Sequence, residues 1–127
     1  MRQLITILLA CIALKAAAQQ SPNGMVSVKA KDGNMVVCYR QQPVLEIKTA
    51  IDAEQLRESM PVTVKADYQM LAGKRLHCVN EANEYRTGAL VLRIYNDGIA
   101  FRYQGAAPSQ QTEQTAYRIP EGTRRWI

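Results

Sequence analysis

The sequence predicts an all-β protein, a β-sandwich standing behind a signal peptide. Three observations predict it. Short runs alternate apolar and polar residues, turn signals separate them at regular intervals, and the length holds one domain at most. The chain has 127 residues, 47% of them hydrophobic and 21% charged. That balance is ordinary for a globular protein and excludes wholesale disorder. No apolar run reaches the roughly 18 residues of a membrane-spanning helix. Seven glycines, three cysteines and no sustained heptad exclude collagen, a disulfide-dense miniprotein and a coiled coil. A complete (β/α)8 barrel needs about 250 residues and does not fit.

Residues 1–18 read as an address and not as fold. Arg2 and the amino terminus give a short positive region, Leu4 to Leu14 an apolar core, and Ala16, Ala17 and Ala18 the small residues of a cleavage site. Cleavage is expected after Ala18. Leu8-Leu9-Ala10-Cys11 loosely resembles a bacterial lipobox, but Leu9 is bulky for it and the apolar run continues past Cys11. A mature chain of residues 19–127 follows, in a periplasmic or secreted location.

The mature chain justifies its strands in order. Met25 to Lys31 largely alternates apolar and polar, and Asp32-Gly33 suits the positive dihedrals of a tight hairpin turn. Met35 to Arg40 returns as the second strand. Gln41-Gln42-Pro43 breaks it, and Val44 to Ile47 makes a third. Ile51 to Met60 has helix formers and an acidic first turn, so a short helix or ordered loop is expected. It should end before Pro61, which disfavours helical geometry in its predecessor. Val62 to Tyr68 opens on β-branched residues and reads as a strand. Ala89 to Tyr95 is the strongest strand, Asn96-Asp97-Gly98 a turn whose residues tolerate left-handed geometry, and Ile99 to Tyr103 its antiparallel return. Gly105 to Gln114 is a polar loop, Ala116 to Ile119 a further strand, and Trp126-Ile127 an apolar ending with no polar tail, so a continuation is expected.

Charge points away from nucleic acid. Without Arg2 and Lys15, fourteen basic side chains face eleven acidic ones, a net +3 against +5 for the whole chain. The basic residues are scattered, and Gly73-Lys74-Arg75 has neither stacking aromatics nor the glycine spacing of a phosphate loop. Cys38 and Cys78 remain after the leader is lost. They could pair in an oxidising compartment, closing a loop of about 40 residues and adding about 3–4 kcal/mol in the chain-entropy model. Against that, Cys38 sits in an apolar run, where a lone cysteine more often acts as a small buried hydrophobe.

Residues able to carry chemistry are few. His77 is the sole histidine, and in an extended segment Cys78 faces the other way. No Cys-x-x-Cys or His-x-x-x-His spacing is present, so His77 reads as structural. Asn80-Glu81-Ala82-Asn83-Glu84-Tyr85 packs two amides and two carboxylates together. Such oxygens suit a hard cation such as calcium, and carboxylate pairs serve glycoside hydrolysis. The EF-hand pattern is absent, and on spacing alone a polar loop between strands is the favoured reading.

The string Tyr95-Asn96-Asp97-Gly98-Ile99-Ala100-Phe101-Arg102-Tyr103, with Asn80-x-x-Asn83-Glu84 upstream, resembles the N-terminal domain of glycoside hydrolase family 97. So do the leader ending in Gln-Gln, the Ser21-Pro22-Asn23-Gly24 opening with its hairpin, and Trp126-Ile127, which is similar to the start of a Trp-Ile-Pro string. The resemblance spans essentially all of the mature chain. It implies a secreted bacterial enzyme acting on α-linked glucosides or galactosides. It also implies an N-terminal β-super-sandwich, a central (β/α)8 barrel, a small C-terminal β domain and an active-site calcium. The sandwich would lend one glutamate to that calcium, expected beyond Ile127, with Glu84 as the less favoured candidate. Asn80, Asn83 and Glu84 would shape a loop near the barrel. The catalytic acid and the base or nucleophile would come from the barrel, so no catalytic residue is expected in this chain. The barrel is absent from it, and Glu81-Ala82 stands where the family can carry a bulkier aromatic pair.

The expected organisation is therefore a signal peptide (1–18) and a partial, incomplete N-terminal sandwich (19–127) that packs on a missing barrel. Its function would be to help complete the active site of a calcium-dependent exo-acting α-glycosidase acting on an α-linked oligosaccharide. Alternatives are a stand-alone periplasmic β-sandwich that binds carbohydrate without catalysis, and a structural domain with no ligand.

Overall fold

A computed structural model describes residues 18–105 and 114–124. The leader up to residue 17, most of the polar loop and the Trp126-Ile127 ending lie outside the described residues. Among the described residues, nine strands form two antiparallel sheets, which bears out the all-β sandwich. The first sheet runs β1-β2-β3-β4-β9, from β1 (Gln19–Gln20), β2 (Val26–Lys31), β3 (Asn34–Tyr39), β4 (Gln42–Lys48) and β9 (Ala116–Arg118). The second runs β5-β6-β7-β8, from β5 (Val62–Gln69), β6 (His77–Arg86), β7 (Leu90–Tyr95) and β8 (Gly98–Tyr103).

Local chemistry sets the turns. Asp32 and Gly33 take φ of 52° and 80°, as the hairpin requires. The β3–β4 turn also needs positive φ, at Arg40 (47°) and Gln41 (68°), and achieves it without glycine. The β3–β4 ladder slips between Val37 and Cys38, which pair with Leu45 and Pro43, leaving Val44 as a bulge. Pro43 is tolerated because β9 pairs only with Glu46 to Lys48. The turn at Asn96 and Asp97 forms, but neither of them nor Gly98 has a positive φ. There Asn96 contributes its side chain, whose Oδ1 accepts the Asn23 N–H at 2.9 Å. The expected short helix is a 3₁₀ helix, Ala53–Glu58, capped by Asp52, which accepts the Glu54 N–H at 2.9 Å.

Alternation decides the faces. Val26, Val28, Met35, Val37 and Ile47 of the first sheet meet Tyr85, Leu90, Leu92 and Ile94 of the second, and Ala53 and Leu56 of the 3₁₀ helix plug one side. Fully burying one such aliphatic side chain stabilises by about 1.5–3 kcal/mol.

One expectation is corrected. The polar run at 80–85 is not a loop: it lies inside β6, the ten-residue strand, in continuous register with β5 and, from Ala82, with β7. Asn80 and Glu81 are polar because β6 there extends past β7 as one arm of a two-stranded ribbon that meets water, whereas Asn83 and Glu84 lie between β5 and β7 and hold polar partners. Of the two readings left open for Cys38 and Cys78, the structure has the unpaired one: both thiols are free. Cys38 pairs with Ser27 on the outer face of the first sheet, and Cys78 pairs with Tyr68 on the outer face of the second. Packed sheets stand about 10 Å apart, so two outward thiols on opposite sheets are beyond disulfide reach.

Candidate functional site

Alternation along β6 distributes the polar run over two faces. Asn80, Ala82 and Glu84 point outward, and Asn83 and Tyr85 point toward the first sheet. Asn80 Nδ2 donates to the Tyr68 hydroxyl at 3.5 Å on the exposed ribbon. Asn83 Nδ2 donates to the Gln20 carbonyl at 2.9 Å, and the Tyr85 hydroxyl accepts the Gln20 N–H at 3.1 Å. Asn83 and Tyr85 thus clamp the backbone of β1 onto the second sheet. Gln19 completes the anchorage by donating from Nε2 to the Leu56 carbonyl at 2.6 Å.

Glu84 is the most constrained ionisable group of the run. It is buried, and both carboxylate oxygens are engaged: Oε1 by Arg86 Nε and Oε2 by Arg93 Nε at 2.5 Å. The Arg93 hydrogen bond, then the Arg86 one, hold its carboxyl below the usual carboxylate range against the opposing effect of burial. Glu84, with Tyr95 adding to it, raises Arg93 above the ordinary arginine value. Register explains the knot, because Glu84 lies directly opposite Arg93 on the outer face. Arg86 stands two positions on along β6 and so shares the face of Glu84, whereas Arg93, nine positions on, escapes notice in the sequence because it meets Glu84 only once β6 and β7 pair.

His77 pairs with Asp67 across the ribbon, in the open, with Cys78 on the other face. The described residues also form two concavities. A groove of about 840 Å³ runs over the outer face of the first sheet, with Val36, Cys38 and Pro43 beneath and Lys29, Arg57 and Arg118 along it. A cleft of about 620 Å³ opens between the sheets, lined by Leu45, Phe101, Tyr103 and Tyr117 among others.

Against known proteins, the family model described as Glycosyl-hydrolase 97 N-terminal matches residues 19–127. The chain belongs to this family. No curated protein and no solved structure matches it.

Membership places the chain in a glycoside hydrolase family, whose full enzymes act on carbohydrate. The β-sandwich is the fold that the resemblance implies for a glycosyl-hydrolase 97 N-terminal domain. The resemblance also implies an active-site calcium. Calcium takes six to eight oxygen ligands. Each Glu84 oxygen already accepts from a guanidinium, whose positive charge opposes a cation beside it, and among the described residues no three His, Cys, Asp or Glu side chains converge. These residues do not fit a calcium site of their own. Among them, no helix is long and apolar enough to cross a membrane.

Proposed function

We propose that this glycosyl-hydrolase 97 N-terminal domain is the non-barrel part of a calcium-dependent, exo-acting α-glycosidase that cleaves α-glucosides or α-galactosides outside the cytoplasm. The observation that carries the reading is the family match across residues 19–127. That match and β1 both start at Gln19, directly after the expected cleavage point, which supports export. The sandwich acts as a scaffold that packs on a (β/α)8 barrel and helps to complete its site. The catalytic carboxylates belong to the barrel, and calcium takes its ligands from outside the described residues. Glu84 serves architecture in this reading, because its charge is spent on Arg86 and Arg93.

The experiment is to sequence the source DNA past the codon for Ile127 and to express the chain with and without whatever follows. The 127-residue product, supplied with calcium, should release no p-nitrophenol from α-glucosides or α-galactosides. The extended product should release it and lose the activity on chelation. A stop codon directly after Ile127, or hydrolysis by the short chain, sinks the proposal. The cleft lined by Phe101, Tyr103 and Tyr117 favours a second reading, carbohydrate binding without catalysis, since aromatic walls suit sugar rings. Glycan-array binding that Tyr117→Ala abolishes would establish it.

A further inference from the structure

The β5–β6 ribbon leaves the sandwich without cover. β7 pairs with β6 only from Ala82 to Arg86, so residues 77–81 bond to β5 alone. β5 is the terminal strand of its sheet, with a free edge among the described residues. Tyr68, Met70, Leu71, Leu76 and Val79 are exposed along the ribbon and its tip. A two-stranded ribbon is marginal by itself in water, and an open apolar edge is a template for another strand.

We infer that the free edge of β5 pairs antiparallel with β5 of a second copy of this chain, about a two-fold axis at Ala66. The charges on β5 select this occupant and this register. With Ala66 opposite its own copy, Lys65 lies opposite Asp67 twice, Thr63 opposite Gln69, Val64 opposite Tyr68, and Val62 opposite Met70. Directly opposite residues share a face, so each apolar pair covers exposed surface and each charge meets its complement. On the other side of Lys65 stands Glu81 of the same chain, giving an alternating row of charges across the joined sheet. Shifting the axis one residue sets Lys65 against Lys65 or Asp67 against Asp67. Like charges directly opposite are destabilising, so the edge discriminates its own register. The pairing is isologous and closes at two copies, joining two four-stranded sheets into one.

The test uses the full 127-residue chain, exported with its own leader, and sedimentation equilibrium over a range of concentration. Wild type should dimerise, less at high salt. Lys65→Glu and Asp67→Lys, both at exposed positions, should each weaken the dimer by about tenfold or more, since each sets two like pairs face to face. Mixing the two variants should restore dimer, because every pair in the mixed species is again opposite in charge. In a Cys78→Ser background, Ala66→Cys should cross-link to itself under mild oxidation while Val62→Cys should not. A wild type that stays monomeric at millimolar concentration overturns the inference. So does a dimer indifferent to both charge reversals, a mixture that fails to re-form, or an Ala66→Cys chain that dimerises without cross-linking.

Discussion

Replacing Glu84 with glutamine keeps the side-chain volume and deletes the charge on which two arginines converge. The Glu84 side chain is 3% exposed, whereas Arg86 is 57% and Arg93 40% exposed. Two unit charges 4 Å apart attract by about 4 kcal/mol at an effective dielectric of 20. Water screens the half-exposed guanidiniums, and they regain hydration when their partner is neutral, so most of that attraction is not net stability. Hydrogen bonds to charged groups contribute about 1.5–3 kcal/mol each. Discounted for screening, the expected loss for Glu84→Gln is about 2 kcal/mol. In a domain of this size that is a fall in Tm of about 8–16 °C, readable by urea titration and thermal melts. The pH dependence follows from the direction of the shift. Because the folded-state pKa of Glu84 is lowered, its stabilisation is complete above the ordinary glutamate value, about 4.3. It is lost as pH falls from there through the lowered folded value. The gap between wild type and Glu84→Gln should therefore be constant near neutrality and close in acid. Arg93, raised above its ordinary value, stays charged throughout that range. A loss below about 0.5 kcal/mol, the scatter of surface substitutions, would refute the view of Glu84 as a buried anchor. So would a gap that does not shrink in acid.

Other perturbations separate core from ribbon and turn from thiol. Leu92, fully buried between Tyr85 and Phe101 in the ladder, should cost about 2–5 kcal/mol on change to alanine. Leu71→Ser at the fully exposed ribbon tip should leave the denaturation midpoint of the monomer within about 0.5 kcal/mol of wild type. Gln41→Gly should stabilise by about 1 kcal/mol, because a left-handed conformation costs a non-glycine residue about 1–2 kcal/mol; a lower urea midpoint would contradict this. Of Cys38 and Cys78, the latter should react first with a thiol reagent in the native protein and the buried Cys38 only on unfolding, with no dependence on prior reduction.

Much of the architecture was legible residue by residue. The β2–β3 hairpin was readable because Asp32-Gly33 suits positive φ and apolar alternation flanks it. β7 and β8 were readable because Leu90 to Tyr103 carries the core side chains of its sheet. β6 was not. A strand is betrayed by one apolar face; up to Glu81 β6 lies on the open ribbon, and beyond it the buried outer-face position goes to the charged Glu84 and the half-buried inner one to Asn83, so Asn80 to Glu84 carried no period to read. The left-handed turn at Arg40 and Gln41 was equally hidden, since neither residue type announces positive φ.

The fold class, the order of most strands and the family resemblance follow from relations between neighbours along the chain: alternation, turn residues and local strings. What the polar residues do depends instead on how the sheets pair and pack. Pairing of β6 with β7 set Glu84 against Arg93, giving its buried charge a partner. Packing of β1 on the second sheet gave Asn83 and Tyr85 the backbone of Gln20 to hold. The two-sheet arrangement sent Cys38 and Cys78 to opposite outer faces. Each of these outcomes depends on strand register and sheet order, long-range relations that no spacing within the sequence encodes.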